Sequence, residues 1–182
     1  GKEFRSMSSA SPIALAVAAL LGLFTVLAFV DGVLIHLFKE RLHTRAESRT
    51  EHWLHTARAF AFIPALLTVF SDAKDAWLAI GIGVLVIDEL LAIADGIVER
   101  RSRRSSGGLP TLEYLIHVGV TGVHWAAIAL ALVLRFEGRD GAFMKSLSHM
   151  MLPGAVAIAL IHVAVALKKP RAIVLTPMER AS

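Results

Sequence analysis

Asp31-Gly32-Val33 followed by Glu51-x-x-x-His55 recurs further along the chain as Asp95-Gly96-Ile97 followed by Glu113-x-x-x-His117. Carboxylates and imidazoles are the oxygen and nitrogen donors that hold divalent metal ions. Residues four apart share one face of a helix, so each Glu–His pair can approach the same ion or adjacent ions. The two copies together offer four carboxylates and two imidazoles, a charge that two divalent cations neutralise. His36 and His162 are placed as supplementary ligands. The candidate metal set is therefore Asp31, His36, Glu51, His55, Asp95, Glu113, His117 and His162, and it points to a dinuclear centre of zinc or iron. The chain has no cysteine, which excludes a thiolate zinc site, an iron–sulfur cluster and a disulfide framework.

A second group of residues is suited to moving protons. Asp88 and His124 each lie seven residues from a member of the repeat, Asp95 and His117, and so fall two turns deeper on the same helix faces. With Glu89 and Arg58 they are the candidates for catalytic work beside the metal. Arg58 has three possible roles: snorkelling to the interface, holding an anionic headgroup, or pairing with a ligating carboxylate. His43, Glu47 and His52 are read as members of a basic, solvated connection, and His149 as structural. The glycine that follows each repeated Asp is expected to permit close helix approach.

The elements that carry these residues are transmembrane helices. A chain of 182 residues that is 55% hydrophobic, with a mean hydropathy of +0.64, is an integral membrane protein. Apolar runs at 11–37, 57–70, 77–98, 112–134 and 143–167 predict an all-α bundle of five spans, with Pro64 and Pro153 as kinks. Residues 1–10 read as a tag remnant and short tail, 11–168 as a single transmembrane domain, and 169–182 as a cytoplasmic tail. Within the domain, repeat 1 covers about 11–72 and repeat 2 about 75–136, two parallel helical hairpins, followed by a fifth helix at about 142–168.

Lys39, Arg41, Arg45 and Arg49, then Arg100, Arg101, Arg103 and Arg104, then Lys168, Lys169, Arg171 and Arg180 gather on one side. That side is expected to be cytoplasmic, with the N-terminus outside. Counted from those helix ends, Asp31, His55, Asp95, His117 and His162 all lie roughly 8 to 12 Å inside the membrane. Ionisable groups are costly there, so a matched layer of them implies function.

The arrangement resembles in design the ferritin-like di-iron carboxylate bundles, in which inward Glu and Glu-x-x-His residues on four helices hold two metals. It departs from them in its Glu-x-x-x-His spacing, in the Asp that opens each half, and in its membrane setting. The expected function is a membrane metalloenzyme whose site lies near the cytoplasmic leaflet. It would act on a lipid-like or other apolar molecule by metal-assisted hydrolysis or oxidation. Two other classes use the same residues: a divalent-cation or proton transporter, and a b-type haem cytochrome in which His149 and His162 would each ligate a haem. The bilayer is the expected partner, a homo-oligomer is compatible with the chain, and the spread of its +4 charge does not suit nucleic acid.

Overall fold

The computed structural model describes residues 10–40, 48–103 and 108–167. Within them the chain is entirely helical. Helix α1 (Pro12–Ala28) begins on Ser11, whose hydroxyl accepts from the Ala14 amide at 3.2 Å, with proline in the first turn. It continues without a break into a π-helical segment (Phe29–Lys39). Helix α2 (Arg49–Thr68), α3 (Asp75–Ser102), α4 (Thr111–Glu137) and α5 (Gly141–Ala166) follow. The end of α4 is set by Gly138, which takes a left-handed conformation at φ 65° and lets the Arg139 amide reach back to the Leu134 carbonyl. Pro64 and Pro153 lie inside continuous helices.

Four described helical segments, Pro12–Lys39, Asp75–Arg101, Thr111–Glu137 and Gly141–Ala166, are long and apolar enough to cross a membrane. The chain is thus a multi-pass helical membrane protein. Helix α2 does not reach that threshold, because its first turns are occupied by Arg49, Glu51, His52, His55 and Arg58. It is held instead by its neighbours, packing along both α3 and α5, while α1 packs along α4.

The bundle is divided along its length. At one end Val17 and Leu21 of α1, Leu66 and Phe70 at the end of α2, Leu134 of α4 and Met144 of α5 form a fully apolar core. At the other end the buried side chains are mostly ionisable. The apolar end is pinned at the helix termini: Asp140, opening α5, accepts from the amide and the hydroxyl of Ser11 at 3.1 and 2.6 Å. Lys145 pairs with Asp72 in the α2–α3 turn at 3.2 Å. Burial acts to raise the Asp72 carboxyl, but the hydrogen bond and charge of Lys145, with a further hydrogen bond from Ser71, together outweigh it and hold the carboxyl below its ordinary range.

Close helix approach occurs at Gly81, not at the glycines beside the repeated aspartates. A Cβ at Gly81 would lie 2.2 Å from Thr68 Oγ1, whereas at Gly96 it would meet nothing within 4 Å and at Gly32 it would make ordinary contact, at 3.5 Å, with the His162 ring. The expectation for the Asp-Gly pairs is corrected accordingly: neither glycine is required by a close neighbour, since a Cβ fits at both. Gly81→Ala should therefore strain the α2–α3 contact and cost about 1–3 kcal/mol. Gly83→Ala, whose Cβ meets nothing within 4 Å, should unfold near the wild-type temperature. Thermal unfolding of the two variants in one detergent checks this, and equal midpoints would refute it.

Candidate metal centre

The π-helical segment determines how α1 contributes. Asp31 and His36 are five residues apart, which in an α-helix would point them to widely different sides. Bonding from i to i+5, as in the 2.8 Å bond from the Glu40 amide to the Ile35 carbonyl, brings such residues onto one face. Asp31 and His36 are accordingly both buried and near each other, with His36 Nε2 lying 3.9 Å from Asp31 Oδ1.

His36 is the centre of the arrangement. Its ring is fully buried, and Nε2 is surrounded by Asp31, Glu51 at 3.7 Å, Glu99 at 3.8 Å and Glu113 at 3.9 Å. The His55 ring lies over it with centroids 4.1 Å apart. His55 Nε2 in turn approaches Asp95 Oδ2 at 3.2 Å, and His117 Nδ1 approaches Asp31 Oδ2 at 3.6 Å. Two overlapping clusters can hold a metal ion: Asp31, His36 and His55, and His36, Glu99 and Glu113.

Most of these contacts are longer than hydrogen bonds. Asp31 Oδ1, both ring nitrogens of His36, both oxygens of Asp95, Glu113 Oε2 and His117 Nδ1 are buried without a hydrogen-bond partner among the described residues. Buried polar atoms are normally satisfied. A convergent group of carboxylate and imidazole atoms, spaced just beyond direct bonding, is the donor set that a cation would satisfy.

Five carboxylates are buried here: Asp31, Glu51, Asp95, Glu99 and Glu113. Among the described residues the one buried cation of the Lys/Arg type is Arg103. Its guanidinium joins Glu51 and Glu113, with Nη1 at 3.0 Å from Glu51 Oε2 and Nε at 2.9 Å from Glu113 Oε1. Burial alone would disfavour its charge, but the two carboxylates outweigh that and hold it protonated. Lys39 reaches Glu113 from the surface at 3.7 Å. Arg58 sits between Asp88 and Asp95, at 3.4 and 3.7 Å, so of its possible roles the structure supports pairing with carboxylates.

The remaining candidates are placed as follows. His162 is buried, its ring against Gly32 and parallel to His52 at 5.5 Å. His52 is buried as well, with Nε2 3.1 Å from the His162 carbonyl. It is thus not in a solvated connection, because α2 begins at Arg49 and carries it inward. His43 and Glu47 lie outside the described residues. Asp88 and His124 face each other at 3.7 Å. Glu89 stands apart from this group, accepting from the Trp125 indole at 2.9 Å on an exposed face. His149 is exposed.

An apolar cavity of about 760 Å³ adjoins the centre, lined by α1, α2 and α5 with Asp88 and His124 behind. Asp31, His55 and His162 border it, and Phe24, Phe62, Met150 and Ile158 supply much of its apolar wall. No known protein family, characterised protein or solved structure matches the chain. The functional reading therefore rests on this geometry.

Glu99 and Arg103 are the members that the repeat does not reveal. Glu99 follows Asp95 by four residues and so shares its helix face, but the matching position of the first half is Ile35. Arg103 stands in a run of arginines whose sequence context speaks only of topology. Its structural role gives a sharp expectation. Arg103→Ala leaves Glu51 and Glu113 buried without their cation and should cost about 3–5 kcal/mol. Added divalent metal should restore part of the lost thermal stability, since it offsets the same charge. A variant that unfolds at the wild-type temperature would show that Arg103 is not the counterion of the centre.

Proposed function

We propose that the protein is a membrane metalloenzyme that binds two divalent metal ions, iron in preference to zinc, and transforms a lipid-like or other apolar molecule. The observation that carries this reading is that Asp31, His36 and His55 converge where Asp31 and His55 also border an apolar cavity. Two imidazoles and one carboxylate form a donor set shared by iron oxygenases and catalytic zinc sites. The adjoining carboxylate-rich cluster of Glu99 and Glu113 favours an iron pair. When bound, an iron pair would supply oxidation of the substrate by dioxygen with electrons from an external donor, and zinc would supply its hydrolysis by water.

The chain's own residues do the rest. Asp31, His55 and His36 would hold the cavity-facing ion, and Glu99, Glu113 and Glu51 the inner one, with Asp95, His117 and His162 as further ligands or orienting partners. Asp88 and His124 border the cavity and would exchange protons with what it holds, while Arg58, a fixed cation, would hold Asp88 and Asp95 in place. Glu89 would act from the outer surface of α3. Phe24, Phe62 and the α5 wall would exclude water and hold the apolar body.

Two further features support the repeat. His55 of the first half meets Asp95 of the second, and His117 of the second meets Asp31 of the first. Helix pairing follows the same exchange, α1 with α4 and α2 with α3. This is the relation expected of two parallel hairpins about an axis along the membrane normal, with Arg103 spanning both glutamates near that axis. A haem pair on α5 is less well supported, because His149 is exposed while His162 is buried.

Metal content of protein purified in mild detergent tests the centre. About two ions per chain are expected, with His36→Ala and His55→Ala losing metal and thermal stability together, and His149→Ala losing neither. The same preparation should convert a component of a membrane lipid extract without any ion gradient. Metal-dependent ion flux into liposomes with no such turnover would favour a transporter instead.

The excess of Lys and Arg at the polar end favours an orientation with the C-terminus and the metal centre on the cytoplasmic side. A reporter fused after Ser182 should be active only in its cytoplasm-reading form. Activity of the opposite reporter there would invert the proposed orientation.

A further inference from the structure

Arg58 keeps unused hydrogen-bond donors beside the apolar cavity that it lines. Its guanidinium makes one hydrogen bond among the described residues, from Nε to Asp88 Oδ1 at 3.4 Å. Nη1 stands 3.7 Å from Asp95 Oδ2, beyond bonding distance, and Nη2 has no partner among them. Neither terminal nitrogen is among the enclosed, unpartnered atoms, which do include His124 Nε2, and 14% of the Arg58 side chain is open. A guanidinium has five donors and no acceptor, so what it lacks here is an acceptor from the side of the cavity.

The cavity is polarised along the bundle. Asp31, His55 and His162 border one end, and Phe24, Phe62 and Met150 the other. Phe24 and Phe62 lie seven residues from Asp31 and His55 along α1 and α2, about 10 Å, and meet with ring centroids 5.1 Å apart. Polar groups at that end are engaged or enclosed: the Thr25 hydroxyl donates to the Leu21 carbonyl at 2.8 Å, and His124 is stacked on Phe24 with Nε2 shut away. Arg58 stands one turn from His55 on α2, and thus near the polar end. With two divalent ions bound and the histidines neutral, the ions and Arg103 match the five buried carboxylates, while Arg58 matches Asp88; no net charge is left to draw an ionic head. We infer that the cavity binds a molecule with an uncharged carbonyl at the end of a long apolar chain, such as a ketone or an acyl ester. Its carbonyl oxygen accepts from the Arg58 guanidinium beside the metal centre, and its chain runs toward Phe24 and Phe62. The uncharged head and the identity of the reacting end rest on the metalloenzyme reading; the bond to Arg58 does not require metal.

Dodecan-2-one, dodecan-6-one and 2-methyldodec-1-ene serve as probes of one chain length, the alkene carrying a methylene of similar shape where dodecan-2-one has its oxygen. Added to the purified protein in one detergent and compared at equal mole fraction in the micelle, dodecan-2-one should raise the unfolding temperature saturably and bind about tenfold more tightly than the alkene. Dodecan-6-one, whose carbonyl is in mid-chain, should bind like the alkene. Arg58→Leu combined with Asp88→Asn removes the guanidinium without leaving its partner charged, and should bring dodecan-2-one down to the alkene. Equal binding of dodecan-2-one and the alkene by the wild-type protein would overturn the inference, as would equal binding of the two ketones or full discrimination retained by the double variant. The wild-type comparisons need no variant, so they stand even if the double variant fails to fold. A protein that prefers dodecan-2-one but holds no metal would sink the enzyme proposal and leave the carbonyl site in place; a metal-loaded protein that binds the probes alike would do the reverse.

Discussion

The burial of five carboxylates, four of them around the His36 imidazole and Asp95 beside His55, is the constraint to which the polar half of the bundle answers. Charges removed from water are expensive unless matched, and Arg103 with its partners Glu51 and Glu113 accounts for only part of the negative charge. Arg58 and Lys39 reach Asp95 and Glu113 at 3.7 Å, and protons or metal cations would have to meet what is left. Protonated carboxyls would be expected to donate hydrogen bonds, yet Asp95 has both oxygens buried without a hydrogen-bond partner, and the His36 nitrogens beside Asp31 are in the same condition. Asp31 and His36, with His55, are spaced so that one cation could satisfy them together.

That constraint explains the irregular features of the fold. A regular α-helix through 29–39 would separate Asp31 from His36, so the π-helical turn is what lets one helix present both; such segments are rare and gather at functional sites. Helix α2 is too polar in its first turns to qualify as a membrane span on composition, and its position between α3 and α5 gives those turns protein neighbours where lipid would be intolerable. The apolar end, with Leu21, Leu66, Phe70 and Leu134 fully buried, supplies the cohesion that the polar end lacks.

Much of this was legible in the sequence because polar residues in a membrane chain are few. Asp31, His55, Asp95 and His117 stand out by repetition, and the structure brings them together in crossed pairs. The helix positions followed from hydropathy, although α2 extends eight residues further toward the polar end than its apolar stretch suggests, starting at Arg49 where the apolar run starts at Ala57. What could not be read was tertiary. His36 looks peripheral under α-helical periodicity and becomes central only through the π-helix. Arg103 looks like a topogenic charge until its guanidinium is seen between two glutamates that are 62 residues apart in the chain, Glu51 and Glu113. His52 looked solvated because the preceding residues are basic, and the direction in which α2 enters the bundle was not visible from composition.

The placement of the cavity follows from the same packing. Helix α1 is held along its length chiefly by α4, and α2 by α3 and α5, so the space between α1 and the α2–α5 pair is the one left unfilled. Asp31 and Gly32 are on one wall of that space and His55 on the other, which puts the cavity-facing metal cluster where the two packed units meet. Changing the separation of α1 from α2 would alter the distance between Asp31 and His55, two of the three members of a cluster that could hold a metal ion. One gap thus borders both the apolar cavity and a cluster whose residues could hold a metal ion.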